Sequence, residues 1–337
     1  MPTYILGIES SCDDTSASVL CDGKVLSNLI ANQEIHKSFG GVVPELASRA
    51  HQQNIIPVVN QAIINANIDK NQLNAIAYTR GPGLLGSLLV GSSFAKSLSM
   101  GLNVPLIEVN HMQAHLLAHF IEDCGNEKPT FPFIGVTISG GHTQIVLVKN
   151  YFDMEIIGET LDDAIGETFD KCGKMLGLPY PAGPHIDKYS KNGDSKKYKF
   201  TKPKVGGLNY SFSGLKTGFM RYVQKEKKNN DNFVSDELEN LCASLQNTIV
   251  EILFEKIVLA IKQTGINKVV FGGGVSCNSG IIKKFKHNEN IENYMSYFPK
   301  FEYTTDNAAM IAMVGFLKYN NNDFSTLEKS AQARFKL

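Results

Sequence analysis

Two histidines one helical turn apart, His111 and His115 in NHMQAHLLAH, are the residues of this chain best suited to hold a metal ion. At i and i+4 on a helix capped by Asn110, their imidazoles share a face and can converge on one ion. His119 lies a further turn along and reads as structural. A hard oxygen ligand would complete the pair, and Asp306 in TTDNAAMIA is the best candidate. The same aspartate also reads as the N-cap of the last helix, which is what sequence alone favours. A zinc peptidase lacks support, because its H-E-x-x-H motif needs a glutamate where this chain has Met112. Neither G-x-S-x-G nor a P-loop occurs.

Other segments have the chemistry of nucleotide contacts. In FGGGVSCNSG the glycines, among them Gly273 and Gly274, permit close backbone approach, and Asn278 offers a two-sided polar edge to a base or ribose. Asp170 and Asp187 flank the rigid PYPAGP turn, so a ligand resting on Gly183 would meet carboxylates able to bind the hydroxyls of a ribose. RGPGLLG is a glycine-rich turn before a helix, a natural anion site but a weak signal by itself.

The elements that must position these residues come in two copies. ILGIESSCDDTSASVL (5 to 20) aligns without a gap on FIGVTISGGHTQIVLV (133 to 148), placing Gly7 on Gly135, Ser11 on Ser139 and Thr15 on Thr143. Each copy reads as a β-hairpin whose tip presents N–H groups and hydroxyls to phosphate, with Ser11 a candidate contact in the first. Strand and helix signals alternate through the rest: a helix from Pro44 to Asn65 with Leu46, Ala50, Ile56 and Ile63 near one face, strands at Ala75 to Thr79, Leu106 to Val109 and Lys268 to Phe271, helices near 160 to 177 and 235 to 264, and a last helix after Asp306. The expected fold class is α/β, two duplicated RNase H-like (actin-like, ASKHA) units with a nucleotide and metal cleft between them. Their expected extents are 1–130 and 131–337, with part of the C-terminal helix able to pack back on the first.

Length suits two domains, since 337 residues exceed what one core usually organises. Six cysteines without a C-x-x-C pair suggest reduced, mostly buried thiols. The N-terminus lacks a basic, then apolar, leader, and no apolar run approaches the ~20 residues of a membrane span, so a cytoplasmic chain is expected. Net charge is zero, yet Lys188 to Lys228 holds twelve Lys/Arg against Asp194 and Glu226. That stretch reads as a flexible basic insertion near 188–230, either a solvated loop or the contact for a polyanion.

Taken together, GIESSCDDTS, HKSFGGVVPELASRAH, RGPGLLGSLLVG, NHMQAH, SGGHTQ, FDKCGKMLGLPYPAGP, SFSGLKT, GGGVSCN and TDNAAMIA resemble the universal tRNA threonylcarbamoyltransferase family in its bacterial form, in family order and nearly end to end. The resemblance implies transfer of a threonylcarbamoyl group from threonylcarbamoyl-AMP to the exocyclic amine of the adenosine 3′ of the anticodon, in tRNAs reading codons that begin with A. It implies one divalent ion per chain, Fe²⁺ with zinc as the alternative, on His111, His115 and Asp306, which moves Asp306 from cap to ligand. Substrate contacts map onto Ile138, Ser139, Gly140, Gly141, His142, Asp170, Gly183, Asp187 and Asn278. Asp13 and Asp14 occupy the family's acidic pair, usually Asp-Glu, with Asp13 the candidate carboxylate to handle the amine proton. Partners implied are tRNA, with Lys196, Lys197 and Lys199 as candidate contacts, a TsaB-type inactive paralogue and a TsaE-type ATPase, and no membrane. An actin-like kinase or ATPase and a non-catalytic nucleotide-binding scaffold are the alternatives.

Overall fold

The computed structural model describes residues 1–33, 36–122 and 127–337, so Cys124 lies outside the described residues. In chain order the elements are β1 (Tyr4–Glu9), β2 (Thr15–Cys21), β3 (Lys24–Ala31), α1 (His36–Phe39), α2 (Pro44–Asn65), β4 (Ala75–Gly81), α3 (Leu85–Leu102), β5 (Leu106–Asn110) and α4 (His111–Leu117). There follow β6 (Phe133–Ile138), β7 (Thr143–Val148), β8 (Met154–Glu159), α5 (Ile165–Met175), α6 (Gly183–Ser190), α7 (Ser213–Asn229), α8 (Phe233–Thr264), β9 (Lys268–Gly272), α9 (Ser279–Glu292), β10 (Met295–Tyr297) and α10 (Ala308–Asn320). Packing divides them into one unit of Met1–Pro129 with Pro299–Leu337 and another of Thr130–Phe298.

The duplication read from the sequence is a duplication of topology. The first sheet runs β3-β2-β1-β4-β5 and the second β8-β7-β6-β9-β10. In each, a three-stranded antiparallel meander is continued by two parallel strands. Register is preserved as well: Gly7 faces Ser18 as Gly135 faces Val146, and Ile8 faces Ala17 as Val136 faces Ile145. Both units are therefore α/β with helices on mixed sheets.

In the first unit, β1, β2 and β4 are buried almost throughout because both faces are covered. Leu6, Ile8, Ala17 and Val19 pack with Ile55, Val59 and Ala62 of α2 and Ala95 of α3. The opposite face takes α10, which approaches so closely that a Cβ at Gly7 would stand 2.4 Å from the Ala308 carbonyl oxygen. Gly7 is fixed by this contact rather than by backbone freedom. The buried stripe of α2 is Ala47, His51, Ile55, Val59 and Ala62, not the expected Leu46, Ala50, Ile56 and Ile63. Ile56 is 64% exposed. A histidine and two small alanines share the inward face with Ile55 and Val59, so apolarity alone misplaced it.

In the second unit, α5 to α9 and the sheet share a core in which Phe271 stacks on Phe298 at 4.4 Å and meets Phe285 edge-on at 4.7 Å. The basic stretch is less free than expected. Residues 191 to 212 have no helix or strand but are tied along α8 by Asn192 to Glu239, Asp194 N–H to Asn240, Tyr198 N–H to Ser244, and Lys256 to the carbonyls of Val205 and Gly207. No helix among the described residues is long and apolar enough to cross a membrane. The five described cysteines form no disulfide, with Cys172 and Cys242 buried and Cys12, Cys21 and Cys277 half-buried.

Candidate functional site

The His-rich helix begins where β5 ends, and one side chain sets both. Asn110 Oδ1 accepts from the N–H groups of Met112 and Gln113 at 2.9 and 3.2 Å, satisfying two free donors of the first turn, as its sequence position predicts. Its Nδ2 donates to the Phe335 and Lys336 carbonyls, tying the helix start to the chain's end. Arg80 braces the same region by pairing with both Glu108 oxygens at 3.0 and 3.1 Å.

On this helix His111 Nε2 and His115 Nε2 lie 3.1 Å apart, and each is 3.3 Å from Asp306 Oδ1. Three ligands each about 2.0–2.1 Å from one ion at tetrahedral angles would sit about 3.3 Å from one another. The donors thus form a triangle of the size one ion needs, and among the described residues they are the group of His, Cys, Asp or Glu able to hold one. Asp306 is not the helix cap. Asn307 takes that role, accepting from the Met310 N–H at 3.1 Å, which leaves the Asp306 carboxylate free to face the histidines.

A residue not singled out from the sequence completes the centre. Glu9, fully buried at the end of β1, accepts from Ser11 N–H at 2.5 Å and Thr79 Oγ1 at 2.5 Å, and from His111 Nδ1 at 3.1 Å. A carboxylate can only accept, so Nδ1 carries a proton and Nε2 is the nitrogen left for an ion. Burial disfavours the charged His111 ring, yet Glu9 and Asp306 outweigh it and raise its pKa well above the usual histidine value. Burial, and then His111, keep His115 below that value. Asp306 is held far below the carboxylate range despite its burial, because both histidines face it. The donor set, two imidazoles and a carboxylate with one ring oriented by a second carboxylate, fits a borderline divalent ion such as zinc or iron(II).

The first hairpin tip adjoins this centre. Ser11 is buried, with its hydroxyl 3.3 Å from His111 Nδ1 and its carbonyl accepting from Leu84 N–H at 2.7 Å, so its polar atoms serve the first unit's interior. His51 clamps the tip: Nε2 donates to the Cys12 carbonyl at 3.0 Å, which makes Nδ1 the acceptor for Thr15 Oγ1 at 2.7 Å. Asp13 and Asp14 are half-buried there. Burial, then the charges of Asp13, Asp306 and Glu9, push the Asp14 carboxyl up to about 7. A carboxyl whose pKa rises on folding costs stability as pH climbs from its unfolded value of 3.8 to its folded one. In the metal-free chain Asp14→Asn should change stability little at pH 4 and increase it progressively up to pH 7, by roughly 2–4 kcal/mol. Urea unfolding across that range measures it, and a gain independent of pH would refute the assignment.

In the second unit, Ile138 ends β6 and Ser139 to His142 form the tip. Ser139 N–H donates to the His142 carbonyl at 2.9 Å and His142 N–H to Ser139 Oγ at 3.1 Å, closing the turn. Gly140 and Gly141 N–H groups donate to nothing among the described residues. Gly273 has φ +90°, and a Cβ there would stand 2.5 Å from the Ile138 carbonyl oxygen, so glycine lets the Gly273–Gly274 turn lie against this tip. Asp170 Oδ1 accepts from Ala182 N–H at 2.7 Å beside Gly183, the first residue of α6. Asp187 accepts from Ser279 Oγ at 2.8 Å and Gln246 Nε2 at 3.1 Å. Asn278 caps α9 through Oδ1 and donates to Gln246 from Nδ2 at 2.7 Å. Asp187, Gln246, Asn278 and Ser279 are thus one hydrogen-bonded group, and Gln246 is a member that no motif marks. Lys196 and Lys199 are exposed, whereas Lys197 is bound to Glu237 at 2.6 Å.

Comparison with known proteins bears on these arrangements. A family model described as tRNA N6-adenosine threonylcarbamoyltransferase matches residues 24–313. A protein of Christiangramia forsetii with that name is 63% identical over 332 residues, 98% of each chain, and one of Riemerella anatipestifer is 60% identical over 335 residues, 99% of this chain and 98% of that protein. Among solved structures, full-length HypF in a phosphate- and nucleotide-bound form aligns with TM-score 0.63 at 15% identity, over 96% of this chain and 47% of HypF. Component A of the Acidaminococcus fermentans (R)-2-hydroxyglutaryl-CoA dehydratase aligns with TM-score 0.54 at 15% identity, over 94% of this chain and 99% of that one. These structures show the fold alone, an actin-like pair of units.

Proposed function

Because the chain belongs to the tRNA N6-adenosine threonylcarbamoyltransferase family, we propose that its first unit supplies the metal centre and its second the adenylate-binding surface for transfer to tRNA. The enzyme is a transferase that modifies tRNA adenosine to its threonylcarbamoyl derivative. The observation that carries the reading of the site is the triangle of His111, His115 and Asp306.

Threonylcarbamoyl-AMP is the donor, and the acceptor is the adenosine 3′ of the anticodon in tRNAs reading ANN codons. An adenine amine is a weak nucleophile, its lone pair being delocalised into the ring, so the carbamoyl carbon must carry a good leaving group. AMP is one. The free N–H groups of Gly140 and Gly141 bind its phosphate, with Ile138, Ser139 and His142 shaping the tip and Gly273 and Gly274 beside it. Asp170, Gly183, Asp187 and Asn278 hold the nucleoside. A divalent ion, Fe²⁺ by the resemblance, held by His111, His115 and Asp306 would supply Lewis-acid stabilisation of developing negative charge. Glu9 is the positioning residue of that centre. Asp13 accepts the amine proton, and Asp14, whose carboxyl titrates near neutrality, shares the charge of the pair. The anticodon loop makes extrusion of the base inexpensive because its bases are unpaired. A TsaB-type paralogue and a TsaE-type ATPase complete the assembly in the cytoplasm.

The test is direct: the chain and its partners receive threonylcarbamoyl-AMP and tRNA, and mass spectrometry looks for the modified nucleoside. Its absence despite tRNA binding would count against the reading. Asp13→Asn should lower the transfer rate by about 10²-fold or more with tRNA binding unchanged. Full activity in that variant would remove the role.

A further inference from the structure

The structure sorts the basic stretch into cations already paired and cations left over. Lys197 pairs with Glu237, Lys202 with Glu255 and Glu251, and Lys216 with Asp163. These hold the segment to its own unit. Arg221, Lys225, Lys227 and Lys228 of α7 are exposed and make no ion pair among the described residues. With Gln224 and Met175, the last residue of α5, they line a cleft of about 470 Å³.

Two features separate this face from an ordinary solvated helix. Arg221, Lys225 and Lys228 fall at i, i+4 and i+7, so three cations line one stripe about 10 Å long. Like charges at that spacing destabilise a helix. The negative end of the helix dipole explains lysines in the last turn, Lys227 and Lys228, but its effect fades beyond that turn and does not reach Arg221. The one acid of the helix, Glu226, acts on Tyr198 and Tyr222, on its other flank. The cleft therefore keeps a repulsive set of charges with no internal partner, and a polyanion is the ligand that relieves it.

We propose that the α5–α7 cleft is a docking surface for the phosphate backbone of tRNA, with Arg221, Lys225 and Lys228 as its contacts. The proposal rests on the transferase reading above, which makes tRNA the substrate. The contacts bind phosphate, so they add affinity without choosing sequence. They sit on a helix, which fixes their spacing along one stripe.

The experiment compares the full chain, alone and with its partner proteins, as wild type, as Arg221→Ala/Lys225→Ala/Lys228→Ala, and as Arg221→Glu. All three side chains are exposed, and unchanged Tm and metal content will verify the fold. Labelled tRNA is titrated between 50 and 300 mM KCl. The triple variant should bind about 10–100-fold more weakly at physiological salt, with the slope of log Kd against log salt reduced by about two, and Arg221→Glu should reduce it by about one. At saturating tRNA, kcat should stay within about twofold of wild type while KM for tRNA rises. Wild-type binding with an unchanged slope in the triple variant overturns the cleft alone. Lost affinity for a partner protein with the tRNA slope intact gives the surface to a protein ligand and also overturns it. Wild-type protein and complex that never bind tRNA overturn the transferase reading, and the cleft with it.

Discussion

A His115→Ala chain should bind no stoichiometric divalent ion and transfer threonylcarbamoyl at a rate reduced by about 10³-fold, with affinity for tRNA unchanged. Two of the three donors remain, but Asp306 then faces a single imidazole, and two donors do not close the triangle seen among Asp306, His111 and His115. Loss of a Lewis acid removes several kcal/mol of transition-state stabilisation, and each 1.4 kcal/mol is a factor of ten. His115 is buried, so its truncation also leaves a cavity. Asp306→Asn is the control, being isosteric, and should lose the ion and the activity without a comparable fall in Tm. Metal content by elemental analysis and single-turnover transfer are the readouts. A variant retaining one ion per chain would show that the ion lies elsewhere.

What the sequence revealed of this centre was local. Asn110, His111 and His115 are legible because a cap and an i, i+4 pair are set by helix geometry within one turn and a half. Asp306 was ambiguous because Asp306 and Asn307 are adjacent Asx residues, either of which can cap, and only the folded chain shows that Asn307 does. Glu9 was hidden for a different reason. It ends an apolar strand, and the residues that explain it are Thr79 and His111, 70 and 102 positions away. A lone carboxylate in a strand otherwise buried on both faces was the available signal. The same limit held for His51, which sits on the inward stripe of α2 and clamps a hairpin tip 36 and 39 residues earlier. Charge composition located the basic stretch but not its free cations, since Lys197 and Glu237 meet only in the fold.

The duplication sets two differently equipped hairpin tips on one topology. With the register shared by β1–β2 and β6–β7, Glu9 and Thr137 occupy equivalent positions, each last but one or last on the strand entering its hairpin tip. In the first unit that position is a carboxylate anchoring an imidazole. In the second it is a buried hydroxyl without a partner among the described residues. The tips differ in the same sense, Asp13 and Asp14 against Gly141 and His142. An acidic tip repels phosphate and suits an amine, whereas a glycine tip with unused N–H groups suits phosphate.

Glu9→Gln is the sharpest test of that division, with an expected loss of about 10–100-fold in metal affinity and a fold that survives. The amide keeps the shape of the carboxylate: its one oxygen, at the Oε1 position, still accepts from Ser11 N–H, while its NH2 group, at the Oε2 position, donates to a Thr79 hydroxyl that turns to accept, so the hairpin base stays closed. It cannot supply the negative charge that faces His111 Nδ1–H at 3.1 Å, so the ring loses both its orientation and part of its basicity as a ligand. Glu9→Ala removes all three contacts and leaves buried donors unsatisfied, which should cost about 3–5 kcal/mol of stability as well as the ion. The two variants thus separate positioning from folding: titration of apo-protein with zinc reads affinity without catalysis, and urea unfolding reads the fold. If Glu9→Gln bound zinc as tightly as wild type, the carboxylate would be a structural strut for the hairpin, and the orientation of His111 would have to come from Ser11 alone.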